Sequence, residues 1–460
     1  MGSFLLAISP SSAFAKKYTL NELLELARTR NPGLRAGDAA THAMQAQVAE
    51  AKRNWFPQGD LTSFVAPVSR VECQGPMGVI ISGDQSAREA NCITTNTSPS
   101  HSTLDYLTQF AGAYSRTDLK LVQPIWDFGK ISDSVSAAEA GVAVTTGRES
   151  SARADVELNV RRTYWGLKLA RELRSMLEEG EDYLDSAQKT IEKELAGGTG
   201  NATITDRLRL RTVRTEIEVR LLEAKRQEEI ARRALRALLG FVSGDGLDVD
   251  DEDFDALDAP ERPLAYYEEK ARQSRPEART LDYGVRAKRA LADLEHHRLY
   301  PDLVLIGQLS VAYAPTIDSP QNAFANNPFN GYGGGIAAAM RMPLDFGPKL
   351  ARGDRTRAEA EEIAERRQEA LGGVEFEVSK AYVELSEAKT RLGEVRNGEK
   401  AGKAWVTAVS QNFALGLADA RDFSDALIQS FKMRTLALQA IYDLNVSTAA
   451  LARATGTNVP

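Results

Sequence analysis

Few side chains in this 460-residue chain have the type and spacing to do chemistry. Asp248 to Asp255 reads DVDDEDFD, a carboxylate density that would suit calcium. The stretch lacks the loop glycine of an EF-hand, and the acidic run from Asp245 to Asp258 reads as a solvated linker. His296 and His297 are adjacent, so a helix points them to different sides, and only His42 and His101 accompany them. No metal site is expected from these. Asp419, Asp422 and Asp425 recur at every third residue in GLADARDFSDAL, and Asp422 and Asp425 have the spacing of an N-cap and an N3 acid. Cys73 and Cys92 are the two cysteines, both within one polar loop, where they either pair in an oxidising compartment or stay as free thiols. There is no phosphate-cradling glycine loop, no nucleophile constellation and no Cys/His metal spacing. Neither an enzyme nor a cofactor is expected.

The elements that must position these residues come in two copies. Leu20 to Pro57 aligns without a gap on Leu264 to Pro301, matching Pro32 to Pro276. Both segments are helical in composition and end on an aromatic-Pro step, which turns the chain extended. Next come QPIWDFGK from Gln123 to Lys130 and MPLDFGPK from Met342 to Lys349. After these Tyr164 matches Tyr382, and a tip from Gly200-Asn201 to Asp206 matches one from Gly416-Leu417 to Asp422. The order helix, strand, strand, long helix, tip, helix therefore fills 16–240 and again 264–460, with an acidic linker over 241–263. Residues 1–15 read as a signal-peptide remnant, with Phe4 to Ile8 apolar and Ala13-Phe14-Ala15 as the small-x-small step.

Ile131 to about Ala196, and Leu350 to about Ala414, are free of proline, enough for helices of roughly 95–100 Å. Leu177, Leu184 and Ile191 are seven apart, as coiled coils require. Leu20 to Trp55 and Leu264 to Tyr300 read as one helix each, and Thr203 to Leu239 and Asp422 to about Arg453 as the helices after the tips. Four stretches read as strands: Leu61 to Val71, Phe110 to Val122, a third over 303–313, and Tyr332 to Met342. The second carries Tyr114, Arg116, Asp118 and Lys120 on one face, and the third alternates Leu303, Leu305, Leu309, Val311 and Tyr313 with more polar neighbours. Such alternation fits either a membrane barrel or two hairpins of a soluble sheet. Four strands cannot close a water-filled barrel, so membrane insertion would require several copies of the chain. A charge of −7 with both signs spread along the chain offers no basic patch for nucleic acid.

On these duplicated halves, the P-I-W-D-F-G and P-L-D-F-G turns and the Gly-to-Asp tips, the chain resembles the TolC family of outer-membrane efflux proteins over nearly its whole mature length. The resemblance implies a mainly α protein with a membrane β-barrel portion: a long coiled α-helical barrel plus four strands per protomer, closed as a twelve-stranded barrel in a homotrimer. It implies a duct in the bacterial outer membrane with its helical part in the periplasm, working with a periplasmic adaptor (membrane fusion) protein and an inner-membrane pump. Asp419, Asp422 and Asp425 would then form a periplasmic gate, Asp422 and Asp425 as acidic rings. Gly200, Asn201, Asp206, Gly416 and Leu417 would sit on the adaptor-docking tips, with Asp206 better suited to capping. Pro57, Pro124, Pro301 and Pro343 would mark sheet-to-helix passages. Cys73 and Cys92 would lie in a long outer loop. The competing reading is a soluble periplasmic coiled-coil adaptor or scaffold.

Overall fold

The computed structural model describes residues 16–68, 71–73, 92–94, 112–197, 202–241, 247–258, 262–317, 328–415 and 417–457. The expected export signal over 1–15 lies outside them. The chain divides into two compact units, one of Met1–Met44, Ala140–Val285 and Glu361–Pro460, the other of Gln45–Glu139 and Arg286–Ala360. Each sequence repeat contributes to both units.

A short strand β1 (Lys16–Tyr18) precedes helices α1 (Leu20–Arg30) and α2 (Pro32–Arg53). Thr19 caps α1 through a reciprocal box with Glu22, whose carboxylate accepts the Thr19 N–H at 2.9 Å. The single helix expected over Leu20 to Trp55 is thus two. Pro32 cannot donate and drives the residue before it out of helical geometry, so Asn31 takes φ −57°, ψ 122°. Asn31 repairs the break: its side-chain oxygen accepts the Leu34 N–H at 3.0 Å, and its amide donates to the Leu238 carbonyl at 2.7 Å. The same break recurs at Arg275-Pro276, between α5 (Leu264–Ser274) and α6 (Pro276–His297).

Helix α3 (Lys130–Gly197) runs 68 residues and α7 (Phe346–Ala414) 69. At 1.5 Å per residue each is about 100 Å along its axis. α4 (Ile204–Leu238) and α8 (Ala420–Thr455) complete the helices. In the helical unit the seven-residue series Leu177, Leu184 and Ile191 is buried. It packs with Leu210, Val213, Ile217 and Leu221 of α4 and with Phe423 and Leu427 of α8. The 3-4 spacing on α4 meets the heptad on α3, the arrangement in which a knob finds a hole at each turn.

The acidic segment is the solvated linker expected at Asp251, Glu252, Asp253, Asp255 and Asp258, which are exposed, but it also pairs at Asp248 and Asp250. Strand β6 (Leu247–Val249) pairs in parallel with β1. Lys168, 6% exposed, donates to Asp250 at 2.6 Å and to the Glu252 carbonyl at 2.7 Å. The Tyr164 hydroxyl donates to the same carboxylate at 2.9 Å, and burial together with Asp250 pushes that phenol's pKa up. Arg171 pairs with Asp248, and Lys17 with Asp251. Asn445, 1% exposed, holds the rest, accepting the Leu257 N–H at 2.8 Å and donating to the Asp255 carbonyl at 2.9 Å. Two of the acids, Asp248 and Asp250, take basic side chains of the long helix as their counter-ions.

The other unit is built on a four-stranded antiparallel sheet ordered β2 (Gln58–Val68), β5 (Gly112–Trp126), β7 (Asp302–Tyr313), β8 (Gly331–Arg341). Two three-residue strands, β3 (Val71–Cys73) and β4 (Cys92–Thr94), form a separate ladder. Among the described residues β2 and β8 have one unpaired edge each.

Replacing Lys168 by Met leaves the Asp250 carboxylate without its buried cation. Loss of one partner of such a pair costs about 3–5 kcal/mol. The denaturant midpoint of the purified variant should fall accordingly; an unchanged midpoint would mean that the linker contributes nothing to stability.

Candidate functional site

Directly opposed residues of an antiparallel ladder share a face, so the register sorts the sheet. Leu61 lies opposite Leu119, Leu119 opposite Leu309, and Leu309 opposite Gly334. The same face carries Val65 at 71% exposed and Tyr332 at 89%, together with Val311, Tyr313, Ile336 and Met340, all exposed. Its Ser63 and Thr117 hydroxyls bond each other at 3.0 Å, and Ser115 donates to the Tyr313 carbonyl at 3.3 Å. The opposite face holds Asp60 across from Lys120, Thr62 across from Asp118, and Phe64 across from Arg116. It continues with Ser310 opposite Asp118 and Gln308 opposite Lys120. Arg116 forks onto Asp118 two residues away at 2.7 and 2.9 Å. On β8 this face is Gly331, Gly333, Gly335, Ala337 and Ala339, which leaves room beside the charged ladder. One face is therefore apolar, and the other carries the polar side chains of β2, β5 and part of β7 beside the glycines and alanines of β8.

The ends of the strands are held by the repeated DFG turns. Asp127 accepts the Gly129 N–H at 3.1 Å and the Ile131 N–H at 2.5 Å, capping α3. Phe128 adopts φ 54°, rare for a residue with a side chain. Its ring stacks on Tyr300 at 5.6 Å between centroids, which holds the backbone in that region. Lys130 donates to the Tyr300 carbonyl at 2.8 Å and to Asp302 at 2.6 Å. The turn of the first repeat is thereby tied to the aromatic-Pro step of the second. His297 Nδ1 contacts Asp133 at 2.5 Å, so it belongs to this junction. In the second turn Asp345 pairs with Lys349 at 2.9 Å, which holds its carboxyl below the usual range.

Pro57 and Pro301 lie just before β2 and β7, and Pro343 lies between β8 and α7. Pro124 stands inside β5, which continues to Trp126 instead of stopping at Val122. The ladder accommodates its missing N–H by a register shift between Pro124 and Trp126.

At the tips, Gly200, Asn201 and Gly416 lie outside the described residues. Thr203 caps α4 and Asp206 is its N3 partner, accepting the Thr203 N–H at 2.9 Å. In the second tip the cap is Asp419, which accepts the Asp422 N–H at 2.8 Å. The N-cap and N3 pair is thus Asp419 and Asp422, one step earlier than Asp422 and Asp425. The repeated three-residue spacing allows either frame, and the helix begins at Ala420. Asp425 is left facing Arg421 at 3.9 Å. All three carboxylates are exposed. Leu415 and Leu417 are exposed beside them, while Phe413 stacks on Phe423 at 5.1 Å and closes the turn. Cys73 and Cys92 are register partners in the β3–β4 ladder; their side chains lie outside the described residues. No group of three or more metal-ligating side chains occurs among the described residues.

The family model described as outer membrane efflux protein matches residues 84–241 and 268–457. A comparison with curated proteins returned no match. Among solved structures, the CmeC outer membrane channel of Campylobacter jejuni superposes with a TM-score of 0.74 at 15% identity, covering 98% of this chain and 90% of that one. The outer membrane protein VceC of Vibrio cholerae gives 0.72 at 15% identity, with 96% and 97% covered. CusC, whose crystal structures address folding and transmembrane channel formation, gives 0.72 at 15%, with 97% and 94% covered. These likenesses are of fold.

The cap geometry separates the acids. Asp419→Ala should cost about 1 kcal/mol of stability, whereas Asp425→Ala should leave thermal unfolding unchanged. Equal losses from both would overturn the assignment of Asp419 as the cap.

Proposed function

This chain belongs to the outer membrane efflux protein family, whose members are export channels and not an enzyme family, and from that premise we propose how its own residues build the duct. Three copies close a twelve-stranded barrel, β2 of one pairing with β8 of the next. The apolar face meets lipid, and the face with Asp60, Arg116, Asp118 and Lys120 lines a water-filled pore. The observation that carries this reading is a sheet with one apolar face, one polar face and two unpaired edges. Strands of 11, 15, 12 and 11 residues meet the 9–11 that a tilted membrane strand needs. Further support comes from large apolar side chains left exposed on α7, Phe376, Val383 and Trp405 among them. A soluble adaptor would have no use for the outward apolar sheet face. No helix of the described residues is long and apolar enough to cross a membrane, so insertion falls to the strands.

In this proposal the helical unit lies in the periplasm and receives cargo through an adaptor and an inner-membrane pump. The tips with Gly200, Asn201, Gly416 and Leu417 form the docking rim. Asp422 and Asp425, repeated three times, ring the mouth with negative potential that favours cations. Asp419 serves beneath them as the cap. Cys73 and Cys92 pair as a disulfide, for which the register is suited: directly opposed residues of an antiparallel ladder fall within the Cα separation that a disulfide spans.

Mass mapping without reductant should recover a peptide joined through Cys73 and Cys92, and transport should survive Cys73→Ser; two free thiols would remove the pairing.

Cross-linking in native membranes should trap three copies, and a species closed as one copy would end the barrel proposal. The double variant Asp422→Asn, Asp425→Asn keeps the cap supplied by Asp419, so the trimer should persist. In planar bilayers it should lose cation preference and block by divalent cations from the periplasmic side. An intact trimer with unchanged selectivity and block would place the constriction elsewhere.

A further inference from the structure

The helical unit contains a cavity of about 840 Å³ whose walls come from α1, α3, the α5–α6 turn and the end of α8. Its lining carries five arginines, Arg28, Arg161, Arg275, Arg279 and Arg453, against three glutamates, Glu25, Glu157 and Glu277. Three of the arginines are neutralised within the protein. Arg28 donates to Glu157 at 2.8 Å and also pairs with Glu25. Arg275, 4% exposed, is held by Glu277 at 2.9 Å and by Glu377. Arg453 reaches Asp155 and Glu377, each at 2.8 Å.

The other two have no direct carboxylate pair among the described residues. Arg279 donates to the Gln273 carbonyl at 2.8 Å and has no carboxylate partner among the described residues. Arg161 is half-buried and forms no hydrogen bond or ion pair with a described residue. Glu157, one turn earlier on α3, is committed to Arg28. Burial lowers the Arg161 pKa, attraction to Glu157 opposes it and Arg28 adds repulsion, yet a guanidinium does not give up its proton in a protein. A partly desolvated, permanently charged group whose nearest carboxylate is paired elsewhere is costly to keep. The nearby hydroxyls do not supply recognition: Thr146, Ser150, Ser151 and Thr280 donate to carbonyls of their own helices. The cavity has the volume of a small-molecule site, and two of the five guanidiniums on its wall are left without a direct carboxylate pair among the described residues.

We propose that this cavity binds a small organic anion through its carboxylate or phosphate groups, with Arg161 and Arg279 as the recognising side chains. A planar guanidinium matches two oxygens of either group at once. The site is remote in sequence from the tip aspartates, and its existence does not depend on the barrel proposal.

Isothermal titration calorimetry of the full-length protein in detergent tests it, with inorganic phosphate and succinate as separate probes at constant ionic strength. Wild type should bind at least one probe saturably, and the one that binds names the group recognised. Arg161→Gln should weaken that binding roughly ten- to a hundredfold, the loss expected for one charge-assisted pair. Arg162→Gln changes the neighbouring, exposed residue that does not line the cavity, and should bind as wild type does. Arg161→Gln without anion should unfold no earlier than wild type, because it removes a desolvated charge. Absence of saturable binding for both probes, or equal binding by Arg161→Gln, overturns the proposal. Loss of the cross-linked trimer in Arg161→Gln would also overturn it, since the counter-ion would then be a carboxylate of a second copy. Calorimetry and cross-linking of the wild type fail separately, so the anion site and the trimer can be judged apart.

Discussion

An amide or carbonyl in hydrocarbon has no water to bond, and each one left unpaired costs several kcal/mol. The outer edges of β2 and β8 present rows of such groups, and nothing else in the described chain covers them. The side chains make water an equally poor surrounding, because Leu61, Val65, Tyr332 and Ile336 project from one face with no packing partner. The proposed closure against further copies would answer both problems at once, pairing the edges and turning the apolar face outward. The polar face would then become the interior of the proposed barrel. The glycines and alanines along β8 would keep that interior open, where larger residues would fill it.

A sheet bound by this constraint must still hand its chain over to helices, and the DFG turns do so with local chemistry. Asp127 supplies the cap, Phe128 accepts an unfavourable φ in return for its stack on Tyr300, and Lys130 joins the two repeats through Asp302. Within the helical unit the corresponding device is the acidic segment. Its aspartates take Lys168, Arg171 and Lys17 as partners, which fixes where the chain between the repeats must run. Buried ion pairs add little net stability over apolar packing, but a wrong register would leave charges stranded.

Features governed by short-range rules were legible in the residues. The heptad Leu177, Leu184, Ile191 is buried, and the alternation from Leu303 to Tyr313 sorts onto one face as its period of two requires. The breaks at Asn31 and Arg275 were signalled by the prolines that follow them, and were overridden in reading by the helical composition on either side. What escaped were pairings across long separations. Asp250 and Lys168 lie 82 residues apart, and a run of acids looks solvated until its cations are seen. The capping frame at the second tip escaped for another reason. Three aspartates at equal spacing are degenerate, and only the turn preceding Ala420 selects among them. The lack of a direct pair for Arg161 could not be read at all, since it follows from Glu157 being claimed by Arg28 on another helix.

The paired helices carry a consequence for how such a chain can change over time. α1 and α5 each have 11 residues, and α2 and α6 each have 22. A single inserted residue in any of them would advance the next strand by about 1.5 Å and rotate its entry by about 100°. The inserted half would then present its aromatic-Pro step out of phase with the other, and the Lys130 bridge between them would have no partner at the right height. Length is therefore shared property of the two halves. Substitutions can accumulate independently in each, and the 15–16% identity to channels of the same fold is compatible with that freedom. Insertions and deletions in these helices must arrive in both halves together or not at all.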